Sequence, residues 1–144
     1  MPRFIIFVRA TLESEAEIQP NADLLQAMAD YNTAMVEVGI MHMAEGLHPS
    51  SRYGRRIVFH NSAEPSLSEG PFPANELVAG MWIIKVKDID EATEWAIKAP
   101  LKEGAITEVR RIADPEDFGD AFSPGMRLRE EELRTKAEAL AKGK

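Results

Sequence analysis

The run Phe-Ile-Ile-Phe-Val at residues 4–8 decides how this chain folds, because it is apolar throughout and rich in residues that favour strands. Side chains alternate between the two faces of a strand, so a strand of this composition must be covered on both faces. A second run, Val-Ala-Gly-Met-Trp-Ile-Ile-Lys-Val at residues 78–86, has a similar apolar centre. We therefore predict a sheet whose central strands are buried on both sides.

Two amphipathic helices are predicted to accompany these strands. The first covers residues 21–38, begins at the capping residue Asn21 and stops at Gly39. Its apolar stripe follows helical spacing and consists of Leu24, Met28, Tyr31, Met35 and Val38. The second begins at Asp88 with the spacing of a capping box and ends before Pro100.

Three shorter strands complete the predicted layout, over residues 40–45, 55–60 and 105–112. Residues 13–20 and 61–73 are predicted as loops, because both are polar and the second is rich in proline. The order β-α-β-β-β-α-β, with the helices on one face, is typical of an α+β protein with a ferredoxin-like sheet.

The two helices can cover only one face of such a sheet, so its other apolar face lacks a partner. A chain of 144 residues has too little sequence left to cover it. A second copy of the chain is the simplest cover, since two-fold dimers are the commonest oligomers. We therefore expect a homodimer in which two sheets face each other and enclose a cavity.

Residues 113–144 form an extension to this predicted domain of residues 1–112. Ser123 followed by Pro124 is the pattern of a helix start. The helix that follows carries oppositely charged pairs four residues apart and a thin apolar seam of Leu133, Ala137 and Leu140. We expect this helix to be partly solvated or to brace a partner chain.

The composition excludes several classes of function. A formal net charge of −7 disfavours binding to nucleic acid and to anionic lipid surfaces. The sequence contains no cysteine, which removes disulfides, thiol nucleophiles, thiolate zinc sites and iron–sulfur clusters. It has no apolar run of the roughly 20 residues that a membrane span needs, and its start lacks the pattern of a signal peptide. We expect a cytoplasmic protein with neither nucleic acid nor membrane as a partner.

The last predicted strand carries charges where a buried face is expected. Alternation places Glu108 and Arg110 on one face, while Thr107 and Val109 lie on the other. In the homodimer both charges would point into the enclosed space, either as a structural ion pair or as binding residues. Trp82, at the centre of its apolar strand, is a further candidate for lining this space.

Two turns carry the other candidate residues. His48, in the turn over residues 46–51, has the chemistry of a general acid or base; the alternative is a solvent-facing turn residue. The turn over residues 68–72 would place Phe72 inward with Glu69 at its mouth, or serve only to seat Phe72 in the core. The three histidines lack the compact spacing of metal ligands and no phosphate-binding glycine loop occurs, so we expect neither a metal nor a cofactor.

Taken together, these stretches resemble the YCII-related proteins and, within them, the DGPF-type branch. The likeness is carried by Glu-Gly-Leu-His-Pro-Ser-Ser at 45–51, Glu-Gly-Pro-Phe at 69–72, Ala-Gly-Met-Trp at 79–82, Asp-Glu-Ala-Thr-Glu-Trp at 90–95, Ile-Thr-Glu-Val-Arg at 106–110 and Glu-Asp-Phe-Gly at 116–119. The resemblance implies a ferredoxin-like α+β fold that pairs as a dimeric α+β barrel. It implies no settled activity.

The chain departs from the family pattern at two places. Residue 69 is Glu where the motif has Asp, so the carboxylate is one methylene longer. Residues 73–76, Pro-Ala-Asn-Glu, replace a more highly charged run. YCII-like relatives have been proposed to be enzymes that use a His–Asp pair, but no pair in this sequence matches it, so that role is not transferred.

Three hypotheses of function follow. The first is a small-molecule-binding module, with a regulatory role as one option, whose cavity is lined by Phe72, Trp82, Glu108 and Arg110. The alternative is an enzyme that catalyses isomerisation, elimination or hydrolysis of a small organic acid. In this enzyme His48 would transfer the proton, Glu69 would orient the His48 ring, and Arg110 would hold the substrate carboxylate. That enzyme requires His48 and Glu69 to reach one shared cavity. The third hypothesis gives residues 113–144 a role in docking another protein.

Overall fold

The structure is a computed structural model that describes residues 1–143. Its contacts divide the chain into two compact units, Met1–Ile112 and Ala113–Lys144. No helix within the described residues combines the length and the hydrophobicity that crossing a membrane requires.

The first unit contains both strands and helices. Its strands are β1 (Arg3–Arg9), β2 (Met41–Gly46), β3 (Arg55–His60), β4 (Ala63–Glu69), β5 (Val78–Lys85) and β6 (Thr107–Arg111). Its helices are α1 (Leu12–Glu15), α2 (Ala22–Glu37) and α3 (Ile89–Ile97), and a short 3₁₀ turn covers Ala74–Glu76.

The main sheet is antiparallel and has four strands in the order β2-β5-β1-β6. The two apolar strands, β5 and β1, lie at its centre, as their composition predicts. The predicted α+β class is confirmed, and this strand order is consistent with a ferredoxin-like sheet.

The predicted third strand joins a different sheet from the one expected. β3 pairs with β4 in a separate two-stranded sheet, with Ile57 opposite Leu67. The prediction of an irregular loop over residues 61–73 was therefore wrong for Ala63–Glu69. That segment is exposed along its whole length, and its alternating apolar positions are only Ala63, Pro65 and Leu67. Alanine and proline are poor strand formers, so the pattern is too weak to predict a strand, and pairing with β3 holds the segment extended.

The prediction of a loop over residues 13–20 was also wrong at its start, where Leu12–Glu15 form one helical turn. Thr11 and Ser14 cap each other: each side chain accepts a hydrogen bond from the other residue's backbone N–H. A single turn is too short to show helical periodicity, so the capping spacing was the only signal.

The two longer helices of this unit begin as predicted. Asn21 accepts a hydrogen bond from the Leu24 N–H, and Asp88 accepts one from the Glu91 N–H. Gly39, directly after the first of these helices, has a positive φ of 78°, which glycine adopts without strain. The caps therefore fix where α2 and α3 start, and Gly39 turns the chain into β2.

The hydrophobic core lies between these helices and one face of the sheet. Its buried residues from the central strands are Phe4, Ile6, Trp82 and Ile84, and those from the helices are Tyr31, Met35, Ala92 and Ala96. The Tyr31 and Trp82 rings meet edge to face at 5.2 Å between centroids. The core cluster draws no strand residue from the opposite face.

Tyr31 makes the core less stable as the pH rises into the alkaline range. Its hydroxyl donates a hydrogen bond to the Trp95 carbonyl oxygen at 2.6 Å, and burial raises the pKa of Tyr31 to about 12. The folded state holds this proton more tightly than the unfolded state does. The protonated Tyr31 side chain therefore makes its full contribution to the free energy of unfolding below the ordinary tyrosine pKa of 10.0. That contribution is lost as the pH rises towards about 12.

We expect Tyr31→Phe to remove this pH dependence. Between about pH 9 and about pH 11, the wild-type free energy of unfolding should fall by about 1 kcal/mol more than that of the variant, as urea titrations would measure. Tyr53→Phe is the matched control, since Tyr53 is 89% exposed. Equal pH profiles for wild type and Tyr31→Phe would contradict the assignment.

The second unit contains a 3₁₀ segment over Pro115–Ala121 and the helix α4 (Pro124–Lys142). The predicted helix start is confirmed: Ser123 accepts a hydrogen bond from the Met126 N–H, and proline occupies the first turn. Arg134 pairs with Glu130 at 2.8 Å, four residues away. The leucines of the apolar seam, Leu133 and Leu140, are exposed.

Candidate functional site

The face of the main sheet opposite the helices carries an ordered set of apolar side chains. Strand register aligns Met81 of β5 with Phe7 of β1, and Ile83 with Ile5. These four side chains are only partly buried, and Met43 on the neighbouring edge strand is 41% exposed. We call this surface, made of Ile5, Phe7, Met43, Met81 and Ile83, the open face.

Glu108 and Arg110 extend the open face onto β6. Glu108 lies opposite Phe7, and Arg110 lies opposite Ile5, as alternation along the strand predicts. Arg110 Nη1 and Glu108 Oε2 are 3.6 Å apart, and the Arg110 side chain is 68% exposed. A pair this exposed contributes little to stability on its own.

Trp82 does not share this face. It is 5% exposed and lies in the core, where its indole N–H donates to Asn32 Oδ1 at 2.8 Å. Because Trp82 follows Met81 directly, its side chain points to the helix-covered side of the sheet. A cavity bounded by Glu108 and Arg110 therefore cannot include Trp82, and the prediction that these three line one space was wrong.

A shallow pocket of about 280 Å³ lies at one end of the open face. It is lined by Phe7, Arg9, Glu76, Leu77, Val78 and Glu108. The pocket combines an aromatic ring, two carboxylates and one guanidinium group, so it offers both apolar surface and charged anchors.

The turns containing His48 and Phe72 meet at Ser50, which is 8% exposed. Its hydroxyl donates to the Glu15 carboxylate and accepts from the Phe72 N–H at 2.9 Å. The Ser50 N–H donates to the same carboxylate at 3.0 Å. Hydrogen bonds to Ser50 thereby hold together three segments that are distant in sequence, those of Glu15, Ser50 and Phe72. We call this cluster the Ser50 junction.

Glycine makes this junction possible. A Cβ at Gly70 would lie 1.9 Å from the Ser50 carbonyl oxygen, and one at Gly54 would lie 2.3 Å from the same atom. A side chain at Gly70 would push the two loops apart, and one at Gly54 would distort the turn over residues 50–54. The glycine of the Glu-Gly-Pro-Phe stretch is therefore required by a close backbone approach.

The side chains of His48 and Glu69 contact different residues. The His48 ring lies edge to face with Tyr53 at 5.8 Å, and both residues are exposed. Glu69 Oε1 is 3.6 Å from Arg55 Nη2, and the Glu69 side chain is 74% exposed. The loops carrying the two residues come together, but no hydrogen bond joins the proposed catalytic pair within residues 1–143.

Phe72 is partly buried beneath a cation. The Arg56 guanidinium carbon lies 4.1 Å from the Phe72 ring centroid, and Arg56 Nη1 pairs with Glu76 Oε2 at 3.0 Å. This chain of contacts ties the base of the β3–β4 hairpin to the turn before β5. Phe72 therefore lies beside the pocket residue Glu76 without lining that pocket.

Sequence reasoning did not single out Glu15, Arg9 or Glu76, and it gave Ser50 no role. Their importance arises from contacts between segments that lie far apart along the chain. Arg9 alone could have been recognised from the sequence as a candidate functional residue, because it is a cation directly after an unbroken apolar run. Among the described residues, no group of three or more metal-binding side chains lies close enough to hold an ion.

Two comparisons with known proteins bear on these residues. The model of the family described as the YCII-related domain matches residues 3–115, which include the whole main sheet, the Ser50 junction and the open face. No curated protein shows significant similarity to the chain.

Proposed function

Because the chain belongs to the YCII-related domain family, we propose that it binds a small molecule between the open sheet faces of a homodimer. The observation that carries this proposal is the open face, where apolar side chains lie in register beside Glu108 and Arg110. A surface of this kind is unusual on a monomeric protein and typical of an interface or a binding site.

The energetics favour a second copy of the chain as the partner. Full burial of an exposed phenylalanine or isoleucine side chain is worth roughly 1.5–3 kcal/mol. Phe7 and Ile83 are already partly buried, so each would gain less than this, and a two-fold dimer counts every gain twice. The total is comparable to the cost of association, which is about 4–15 kcal/mol. Burial of the open face would therefore offset most of the cost of self-association.

The charged edge of the open face would then supply specificity. The exposed Glu108–Arg110 pair would be enclosed at the dimer interface, where polar contacts strengthen as water is removed. Apolar walls with a few charged anchors are typical of small-molecule sites. The ligand would replace the water that now solvates these two side chains.

A charge placed in the open face should break the dimer. We expect Phe7→Asp to weaken dimer formation by about 100-fold or more, because each copy would bring an unpaired carboxylate into the apolar interface. Sedimentation velocity over a range of protein concentrations would measure this. Val36→Asp, at an exposed apolar position on α2, is the matched control and should dimerise as the wild type does.

Two outcomes would overturn this assembly. One is a wild-type protein that stays monomeric at high concentration. The other is a folded Phe7→Asp variant, verified by circular dichroism, that dimerises like the wild type.

For the ligand, thermal-shift screening of diverse metabolites should show stabilisation by at least one compound, since selective binding to the folded state raises the melting temperature.

We further propose that the chain falls in the DGPF-type branch of the family. The Gly-Pro-Phe sequence at residues 70–72 supports this, and the close packing of Gly70 against Ser50 gives the motif a physical reason. No observation favours the alternative of an acid–base enzyme, because His48 and Glu69 have separate partners.

A further inference from the structure

Arg9 is the last residue of β1 and lies at the end of the open face, beside Glu76 and Glu108. Its Nη2 donates to the Asn75 carbonyl oxygen at 2.6 Å, and the described residues contribute no ion pair to it. The two carboxylates that line a pocket with Arg9 are already engaged elsewhere. Glu76 pairs with Arg56 at 3.0 Å, and Glu108 pairs with Arg110 at 3.6 Å.

A cleft of about 430 Å³ is lined in part by Arg9. Its lining residues are Arg9, Ala10, Thr11, Leu12, Pro73, Ala74, Asn75 and Ile106. Most of these residues present apolar surface, and Arg9 is the charged residue among them. The volume lies within the range of about 300–1,000 Å³ that is usual for small-molecule sites.

We infer that this cleft, which we call the Arg9 cleft, binds a small monocarboxylic acid with an apolar body. Arginine presents five N–H donors in a planar fork that suits a carboxylate, and Arg9 uses one nitrogen for Asn75. The remaining donors receive the carboxylate, and the carbon skeleton lies against Leu12, Pro73 and Ile106. The inference rests on the proposed small-molecule function but assigns the anion to Arg9 instead of Arg110.

The charge of the site defines the ligand class further. Tight phosphate binding usually draws on several donors, and this cleft offers a single cation without a glycine-rich loop. The chain as a whole carries a formal net charge of −7 and repels anions. A partly buried arginine in an apolar cleft therefore selects a monoanion whose apolar body offsets this repulsion.

Titration of isotope-labelled full-length protein tests the inference. The probes are benzoate, phenylacetate and hexanoate, with benzyl alcohol as an uncharged analogue and inorganic phosphate as a small anion. We expect at least one carboxylate to shift the amide resonances of Ala10 and Ile106 in a saturable way. Benzyl alcohol should bind at least tenfold more weakly, and phosphate should leave these resonances unchanged.

Arginine variants separate this inference from the broader proposal. Arg9→Gln should weaken carboxylate binding at least tenfold, whereas the control Arg129→Gln, at an exposed position on α4, should leave it within about twofold, with thermal unfolding verifying that both are folded. Arg110→Gln tests the competing assignment of the anion. Carboxylate binding that depends on Arg110 and not on Arg9 would overturn the Arg9 assignment and leave the proposed function standing. Absence of binding by all three carboxylates would also overturn the Arg9 assignment. Stabilisation by another metabolite in the thermal-shift screen would still uphold the broader proposal of a small-molecule-binding protein.

Discussion

Ile6→Ala is expected to lower the free energy of unfolding by about 2–5 kcal/mol, the range for truncating a large buried aliphatic side chain. Ile6 is 0% exposed and lies at the centre of the core, opposite Trp82 on one neighbouring strand and Val109 on the other. Packing on both sides prevents the core from collapsing into the cavity left by the lost atoms. Denaturant titration should give this loss at any protein concentration.

Ile5→Ala is the matched control, because it removes the same atoms from the adjacent residue on the opposite face. In an isolated subunit Ile5 is only partly buried, so its truncation should cost less than about 1 kcal/mol. In the proposed homodimer the same change removes packing from both copies. The stability difference from wild type should therefore grow as the protein concentration rises.

The two isoleucines together test which face is covered. A loss of less than about 1 kcal/mol for Ile6→Ala would show that the core does not lie where the register places it. An Ile5→Ala effect independent of concentration would argue against a second copy over the open face.

Gly70→Ala is expected to cost about 3 kcal/mol, at the upper end for an overpacked site. The new Cβ would lie 1.9 Å from the Ser50 carbonyl oxygen and 2.5 Å from its carbonyl carbon. Backbone atoms cannot move aside as a flexible side chain can, so the loops must separate. We expect faster hydrogen exchange at the Phe72 amide, because separation breaks its bond to the Ser50 hydroxyl.

Gly46→Ala provides the comparison for this substitution. A Cβ at Gly46 meets no atom within 4 Å, and its φ does not require glycine. The free energy of unfolding should change by less than about 1 kcal/mol. Similar stability of the two alanine variants would show that the Ser50 junction does not hold the loops together.

Local patterns were sufficient for the parts of the fold that depend on neighbours along the chain. The continuous apolar run in β1 indicated a central strand, and the caps Asn21 and Asp88 located the starts of two helices. Alternation along β6 placed Glu108 and Arg110 on one face correctly. Each of these features depends on residues within a few positions of one another, so composition and spacing reveal it.

The β3–β4 hairpin shows where such patterns fail. β4 is exposed on both faces and has Leu67 as its one large apolar side chain, so its extended form is set by hydrogen bonds to β3 and not by burial of its own side chains. Trp82 shows a second kind of failure. Its strand is apolar on both faces, so the sequence could not tell which face the helices cover.

The amino-acid sequence alone was enough to establish the α+β class and the two apolar central strands. Only the tertiary structure could assign Trp82 to the core, bring Glu15, Ser50 and Phe72 together, and place Arg9 against the Asn75 carbonyl oxygen. The physical reason is that strand register fixes which distant loops meet at the end of the sheet. A short-range sequence pattern carries no information about those meetings.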